Sequence, residues 1–155
     1  GHYVLGHVVK SIFFAAGLIL VTLYAAYRLQ AGLIARFATR FRFTELSDIA
    51  SLPLVMLLVG ALSFVITPVA AGYSRWQEHE ADRFGLEITR NNHAAATAFV
   101  TLQQENLSVP RRGLLYKLWR ADHPLLGERI DFCNSYRPWD EGKLGRYEQL
   151  FKKTR

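Results

Sequence analysis

Two long apolar stretches dominate the first half of the chain. Seventeen uncharged residues lie between Lys10 and Arg28, and a second uncharged run of twenty-six residues follows Asp48. A helix that crosses a bilayer needs roughly 17–25 mostly apolar residues, so the pattern predicts two membrane spans, at 11–30 and 51–73. The alternative is a pair of buried core helices. It is disfavoured because the rest of so short a chain could not cover two apolar cylinders.

The polar segments around these spans complete an all-α pattern. Apolar residues recur at helical spacing after residue 94, and Asp122 is expected to cap the last helix, with Pro124 in its first turn. We therefore predict an all-α integral membrane fold that forms a single domain. Its predicted segments are the end of a helix at 1–10, the first span at 11–30, a loop at 31–50, the second span at 51–73, a helical region at 74–135 and a tail at 136–155.

The charge and the cysteine content narrow the class of protein. The 155 residues carry a formal net charge of +6, but no block of basic residues alternates with aromatic ones, which argues against a nucleic-acid partner. Basic residues near membrane ends more commonly meet anionic lipid head groups, so membrane lipid is a predicted partner.

The single Cys133 rules out an internal disulfide and is expected to be buried. The terminal "KKTR" also fits a dilysine retrieval signal of the endoplasmic reticulum, if Arg155 is the true terminus.

The candidate chemistry follows the second span, in the stretch "SRWQEHEADRFG". On a helix, Glu78 and Asp82 share one face because they are four positions apart, whereas Glu80 points the other way. Taken alone, this pair is better explained by a solvated helix surface than by a binding site. The stretch "HEADR" is not an H-E-x-x-H zinc motif, because Arg83 stands where the second histidine would be.

Two histidines lie near the start of the chain. His2 and His7 are five positions apart, which separates them by about 140° around a helix, so at most one of them can bind a given metal ion. One histidine together with the distant Glu78 does not by itself establish a zinc site.

Three segments, in order along the chain, resemble the motifs of one enzyme family. The segment "GHYVLGH" is similar to the end of H-E-x-G-H-[WY]-x-x-G-H, "SRWQEHEADRF" to S-R-x-x-E-x-x-A-D-x-F, and "HPLLGERI" to H-P-P-L-x-E-R-[IL]. These are motifs of the type I CAAX prenyl protease family of membrane zinc metallopeptidases. The related HtpX group shares the first two motifs, but the stretch from Leu102 to Ile130 resembles the prenyl protease family more closely.

The resemblance implies a catalytic site that holds one Zn²⁺ ion. His2 and Glu78 match zinc ligands, and Asp82 matches an acceptor that orients a ligand histidine. His123 matches a catalytic residue that the family places near the scissile carbonyl group. His7 matches a position that is not a ligand.

The resemblance also implies what the chain lacks and what the protein acts on. The first zinc-binding histidine and the general-base glutamate would stand immediately before Gly1, so the chain alone is expected to be inactive and to need the amino-terminal part of the same protease. The implied function is hydrolysis of peptide bonds in membrane-associated or lipidated proteins, with prenylated ones among the candidates. The implied location is the bacterial inner membrane or the endoplasmic reticulum membrane. Two alternatives stay open: a quality-control protease of HtpX type and a catalytically inactive membrane scaffold. Glu80 matches no position of the motifs.

Overall fold

The computed structural model describes residues 1–43, 45 and 47–152, and every regular element among them is helical. No strand occurs in this part of the chain, as the all-α prediction required. The helices are α1 (His7–Phe41), α2 (Leu52–Thr89), α3 (Asn92–Glu105), α4 (Leu114–Trp119), α5 (Leu126–Ser135) and α6 (Glu148–Lys152), with 3₁₀ helices at Ile49–Ser51 and Pro138–Glu141. The retrieval signal predicted for "KKTR" falls on residues 152–155, of which 153–155 lie outside the described residues.

The chain divides into two compact units. The first, called the apolar unit below, is Val8–Val69; the second, called the site unit, combines Gly1–His7 with the chain from Ala70 onward. Each unit takes part of α1 and part of α2, so the two long helices are shared between them.

The apolar unit contains most of the first long hydrophobic stretch and the first part of the second. By length and composition, His7–Phe37 and Ile49–Thr89 are both able to cross a membrane. In the most apolar window of the first stretch 0% of the residues are buried, and in that of the second 6%. Leu20 and Leu57 illustrate this, with 68% and 69% of their surfaces exposed. Among the residues that the structure describes, these two helices are therefore not buried core helices.

The loop predicted at 31–50 is shorter than expected, because α1 continues to Phe41. The helical spacing of apolar residues persists through Leu33, Ile34 and Phe37, and no proline interrupts it. The predicted loop corresponds to a change in composition, from a continuous apolar run to alternating phenylalanine and arginine. That change in composition marks the end of an apolar stretch, but arginine is a good helix former and does not end a helix.

The first residues form a helical turn that ends at Gly6, so the helix predicted over 1–10 is interrupted. The N–H of Gly6 donates to the carbonyl of Tyr3 (3.1 Å). The N–H of His7 donates to the carbonyl of His2 (3.0 Å). With Gly6 at a φ of 65°, this is the Schellman arrangement that closes a helix at its carboxyl end, and glycine adopts the left-handed conformation without steric cost. The chain then turns into α1 with the His7 side chain buried.

The core of the site unit forms where α3 packs on α5 beside α2. Its buried members are Leu86, Ala96 and Cys133. Cys133 is 1% exposed, which confirms the prediction that it is buried. Burial, with a smaller effect from the Asp82 charge, raises the pKa of the Cys133 thiol to about 11, so the residue stays protonated at neutral pH.

The last predicted helix begins later than expected. Asp122 was predicted to cap it, but α5 begins at Leu126, with Leu125 at the cap position and no side-chain cap. A residue that precedes proline is disfavoured in the helical conformation, and Pro124 therefore keeps His123 out of the helix. The side chain of Asp122 instead accepts a hydrogen bond from its neighbour His123.

Glu87 of α2 binds the described part of the predicted tail, through residues 136, 146 and 147. The carboxylate of Glu87 accepts hydrogen bonds from the backbone N–H groups of Arg146 (2.9 Å) and Tyr147 (2.6 Å). The Tyr136 hydroxyl donates to the same carboxylate (2.5 Å). A side chain at Gly145 would lie 2.6 Å from the Glu87 carboxylate, so glycine is required for this close approach. Glu87 thereby fixes the chain that follows α5 on the surface of α2.

Candidate metal centre

Glu78 and His2 come together in the site unit, although α2 supplies one and the first helical turn supplies the other. The Nε2 atom of His2 lies 3.3 Å from Oε1 of Glu78. Two ligands at about 2.0–2.1 Å from a tetrahedral zinc ion lie about 3.3 Å apart. The pair therefore has the separation that a shared zinc ion requires. The Glu78 side chain is 17% exposed and that of His2 is 47% exposed, so the pair is accessible from solvent.

Small residues allow this approach of the first turn to α2. A β-carbon added to Gly1 would lie 3.0 Å from both Cα and Cβ of Ala81, which is closer than ordinary packing. Ala81 is one turn along α2 from Glu78. Gly1 and Ala81 let the two backbones approach closely enough for His2 to reach Glu78.

His123 lies near the same carboxylate oxygen as His2. Its Nε2 atom is 3.7 Å from Oε1 of Glu78, and its Nδ1–H group donates to the Asp122 carboxylate at 3.0 Å. This hydrogen bond holds the pKa of the Asp122 carboxyl below its usual value. The bond fixes the ring so that Nε2 faces the site, and the His123 side chain is 58% exposed, which leaves room for a substrate.

Asp82 binds an arginine in the described structure, and the predicted histidine partner is not among its hydrogen-bond donors there. The Arg129 side chain donates to Asp82 through Nε (2.8 Å) and Nη2 (2.5 Å). The same Nη2 lies 3.4 Å from Oε2 of Glu78, and the guanidinium group lies over the Phe99 ring at 4.2 Å. Asp82 therefore holds Arg129, and Arg129 in turn contacts the Glu78 carboxylate.

Sequence reasoning did not select Arg129 as a site residue. It is the arginine of "HPLLGERI", a motif that the resemblance already contained, so the signal was present. Only the fold shows that α5 brings this arginine to the carboxylates of α2.

Glu80 has no motif role, and the structure gives it a structural one. The residue is 3% exposed and accepts hydrogen bonds from Arg83 (2.7 Å), from Arg146 (3.0 Å) and from the Tyr147 hydroxyl. Burial and the bond to Glu80 raise the pKa of Tyr147 to about 12, so its hydroxyl remains a donor at neutral pH. Glu80 binds the tail and lies apart from Glu78.

A cavity of about 430 Å³ lies beside Arg129. The rings of Trp76 and Phe132 line it together with Arg129 and Pro124, the neighbour of His123. Its mixture of aromatic surface and charged groups could accept part of a peptide beside Arg129, which contacts Glu78.

The residues present fit part of a zinc site. No group of three or more histidine, cysteine or acidic side chains within residues 1–43, 45 and 47–152 is arranged to hold a metal ion by itself. Histidine nitrogen and carboxylate oxygen are zinc ligands, and His2 and Glu78 supply one of each at the required separation. The chain therefore offers two of the three protein ligands that the sequence analysis expects.

Comparison with known proteins identifies the family. The model of Peptidase family M48 matches residues 1–136. The chain belongs to peptidase family M48. It is also 38% identical over 133 residues to the protein named "Uncharacterized metalloprotease YhfN" of Bacillus subtilis (strain 168), a match that covers 84% of this chain and 30% of that protein. The chain thus corresponds to less than a third of this relative's length. No solved structure matches the chain.

Proposed function

We propose that this member of family M48 contributes to a zinc-dependent membrane endopeptidase. The observation that carries the proposal is the 3.3 Å separation between His2 Nε2 and Glu78 Oε1, within a chain that matches the M48 model over residues 1–136. The name of the Bacillus relative, a metalloprotease, supports the same chemistry.

The proposed mechanism assigns a task to each side chain at the site. His2 and Glu78 would hold the zinc ion. A zinc ion bound in such a site supplies a Lewis acid that lowers the pKa of its water towards about 7. Arg129 fixes the second oxygen of Glu78, and the Nε2 side of His123 faces the position where an oxyanion would develop. No residue of this chain matches the general-base glutamate of the H-E-x-x-H motif, which the remaining part of the protease would provide.

The proposed substrates are peptide bonds of membrane-associated or lipidated proteins, as in the CAAX prenyl proteases. Two features support this class: two exposed helices are able to cross a membrane, and the site unit has a partly aromatic cavity lined by Arg129, which contacts Glu78. A quality-control protease of HtpX type would share both features and is the alternative enzyme. Cleavage of a farnesylated peptide with a free carboxyl terminus is compared with cleavage of the unmodified peptide of the same sequence. Only the prenyl protease hypothesis predicts that the farnesylated peptide is cleaved faster.

The substitution Glu78→Gln in the full-length protein tests the proposal. The neutral amide is a poor zinc ligand, so we expect zinc content to fall and peptide cleavage to be lost. Zinc is measured by atomic emission, and cleavage is measured with a reporter peptide in detergent. The matched control is Glu105→Gln, at the exposed end of α3, which should change neither quantity.

Two results would contradict the proposal. Undiminished cleavage by Glu78→Gln would show that Glu78 is not a zinc ligand. A wild-type protein that binds zinc but cleaves no peptide would support the inactive scaffold instead.

A further inference from the structure

We propose that His7 is a positioning residue that fixes the ring orientation and the tautomer of His2. The inference rests on the proposed function, because it concerns how His2 is presented to zinc. The sequence analysis treated His7 only as a histidine that does not bind the metal.

The observation is a direct contact between the two rings. The Nδ1 atom of His7 lies 3.0 Å from the Nδ1 atom of His2, and the rings meet edge to face, with centroids 4.9 Å apart at 78°. At this distance the two nitrogens share one hydrogen bond, so one of them carries the proton and the other accepts it.

The proposed binding of zinc at Nε2 of His2 decides which nitrogen is the donor. Glu78 faces the Nε2 atom of His2, and a metal ligand must present a lone pair there. A neutral His2 that offers Nε2 to zinc carries its proton on Nδ1. His7 must therefore accept that proton's hydrogen bond at its own Nδ1, and its ring proton is on Nε2. A partner of this kind fixes a ligand histidine and raises its basicity.

His7 is held firmly enough to serve this purpose. Its surface is 3% exposed, and its ring lies 6.4 Å from that of Trp76. Its backbone N–H donates to the carbonyl of His2 at 3.0 Å, through the turn that Gly6 closes. Its backbone carbonyl accepts a hydrogen bond from the Gln77 side chain at 3.1 Å.

The Gln77 contact links His7 to the other ligand. Gln77 directly precedes Glu78 on α2, so the same turn of helix carries one zinc ligand and holds the backbone of the residue that orients the other. The ring and the backbone of His7 together thus hold His2 relative to Glu78. The zinc ligands can keep their separation without a metal ion to bring them together.

Two substitutions separate this role from simple packing. His7→Leu fills the buried space with apolar atoms but offers no acceptor to His2. His7→Asn is smaller and polar, yet its side-chain oxygen can accept the hydrogen bond near the position of Nδ1. If His7 only fills space, leucine is the better replacement because a buried amide is costly. If His7 orients His2, asparagine is the better replacement.

The experiment measures zinc affinity and unfolding in the full-length protein. The zinc dissociation constant is obtained by competition with a chromophoric chelator, and the thermal midpoint of the metal-free protein is recorded in parallel. We expect His7→Leu to bind zinc about 10–100-fold more weakly, the usual loss when the partner of a ligand histidine is removed. His7→Asn should recover most of that loss. His93→Leu, at an exposed position of α3, is the control and should bind zinc as the wild type does.

The possible failures are distinguishable. Wild-type zinc affinity in His7→Leu would overturn the inference and leave the proposed function standing. A loss of affinity in the asparagine variant as large as that in the leucine variant, or larger, would also overturn it, since a hydrogen-bond acceptor at this position would then not help His2. A wild-type protein that binds no zinc would overturn the proposed function, and the inference with it.

Discussion

At the scale of single residues, the proposed role of His123 in stabilising the oxyanion can be tested by substitution. Its Nδ1–H is held by Asp122, and its Nε2 lies 3.7 Å from Glu78 Oε1. We expect His123→Ala to retain zinc but to lower kcat about 10²–10³-fold, as the loss of one oxyanion-stabilising group does. Zinc content and steady-state kinetics on a reporter peptide measure the two effects. His93→Ala, at an exposed position of α3, should be silent in both. Loss of zinc from His123→Ala would instead make His123 a ligand.

The two glutamates of "EHEADR" show how far a sequence can predict the role of a residue. Helical periodicity separated Glu78 from Glu80, and in the structure Glu78 faces His2 while Glu80 does not. The burial of Glu80 could not be predicted, because its partners Arg146 and Tyr147 lie more than sixty positions along the chain. Replacing Glu80 would remove buried hydrogen bonds, so it is not a neutral control for Glu78.

At the scale of elements, the Asp82–Arg129 pair joins α2 to α5 beneath the candidate metal centre. Asp82 is 8% exposed and Arg129 14% exposed, so the pair is largely removed from water. We expect Asp82→Asn to weaken zinc binding about 10–100-fold, because Arg129 loses the partner that keeps it against Glu78. Arg129→Lys should have a similar effect, since an ammonium group cannot bind Asp82 in two places and still reach Glu78. Chelator competition on the full-length protein measures both changes.

A second aspartate–arginine pair, between Asp131 of α5 and Arg111 of the segment that joins α3 to α4, provides the control. Asp131 and Arg111 form an ion pair at 2.6 Å, with side chains that are 58% and 68% exposed. Exposed pairs of this kind contribute about 0–1 kcal/mol to stability. Asp131→Asn should therefore leave zinc affinity unchanged. If Asp82→Asn and Arg129→Lys also bind zinc as the wild type does, Arg129 does not position Glu78.

Element boundaries were less predictable than element types. The helical character of every major segment followed from apolar spacing, but the break at Gly6 and the late start of α5 did not. The turn ends at Gly6 through a hydrogen bond from Gly6 N–H to Tyr3 and one from His7 N–H to His2, and a single glycine in a sequence does not reveal such bonds. The start of α5 depended on Pro124, which excludes its preceding residue from the helix. A glycine that closes a helical turn decided the first case, and a proline decided the second.

At the scale of the whole molecule, the exposed apolar surface of α1 and α2 requires a covering medium. The most apolar windows of the two candidate spans are 0% and 6% buried. Water is a poor solvent for so much contiguous hydrocarbon, whereas a bilayer would cover it. We expect the full-length protein to sediment with membranes and to resist extraction by alkaline carbonate, which removes peripheral proteins. Recovery in the carbonate supernatant would contradict the membrane assignment.

Arginine substitutions separate membrane insertion from peripheral attachment. Leu57 and Val65 lie in the second candidate span and are 69% and 66% exposed. An arginine near the centre of a span costs about 2.5–3.5 kcal/mol on insertion scales, so Leu57→Arg with Val65→Arg should reduce the carbonate-resistant fraction. The matched control is Leu115→Arg in α4, where the leucine is equally exposed, at 74%, but belongs to no candidate span. An equal loss of membrane retention in the control would indicate that general surface hydrophobicity, and not a span through Leu57 and Val65, holds the protein in the membrane.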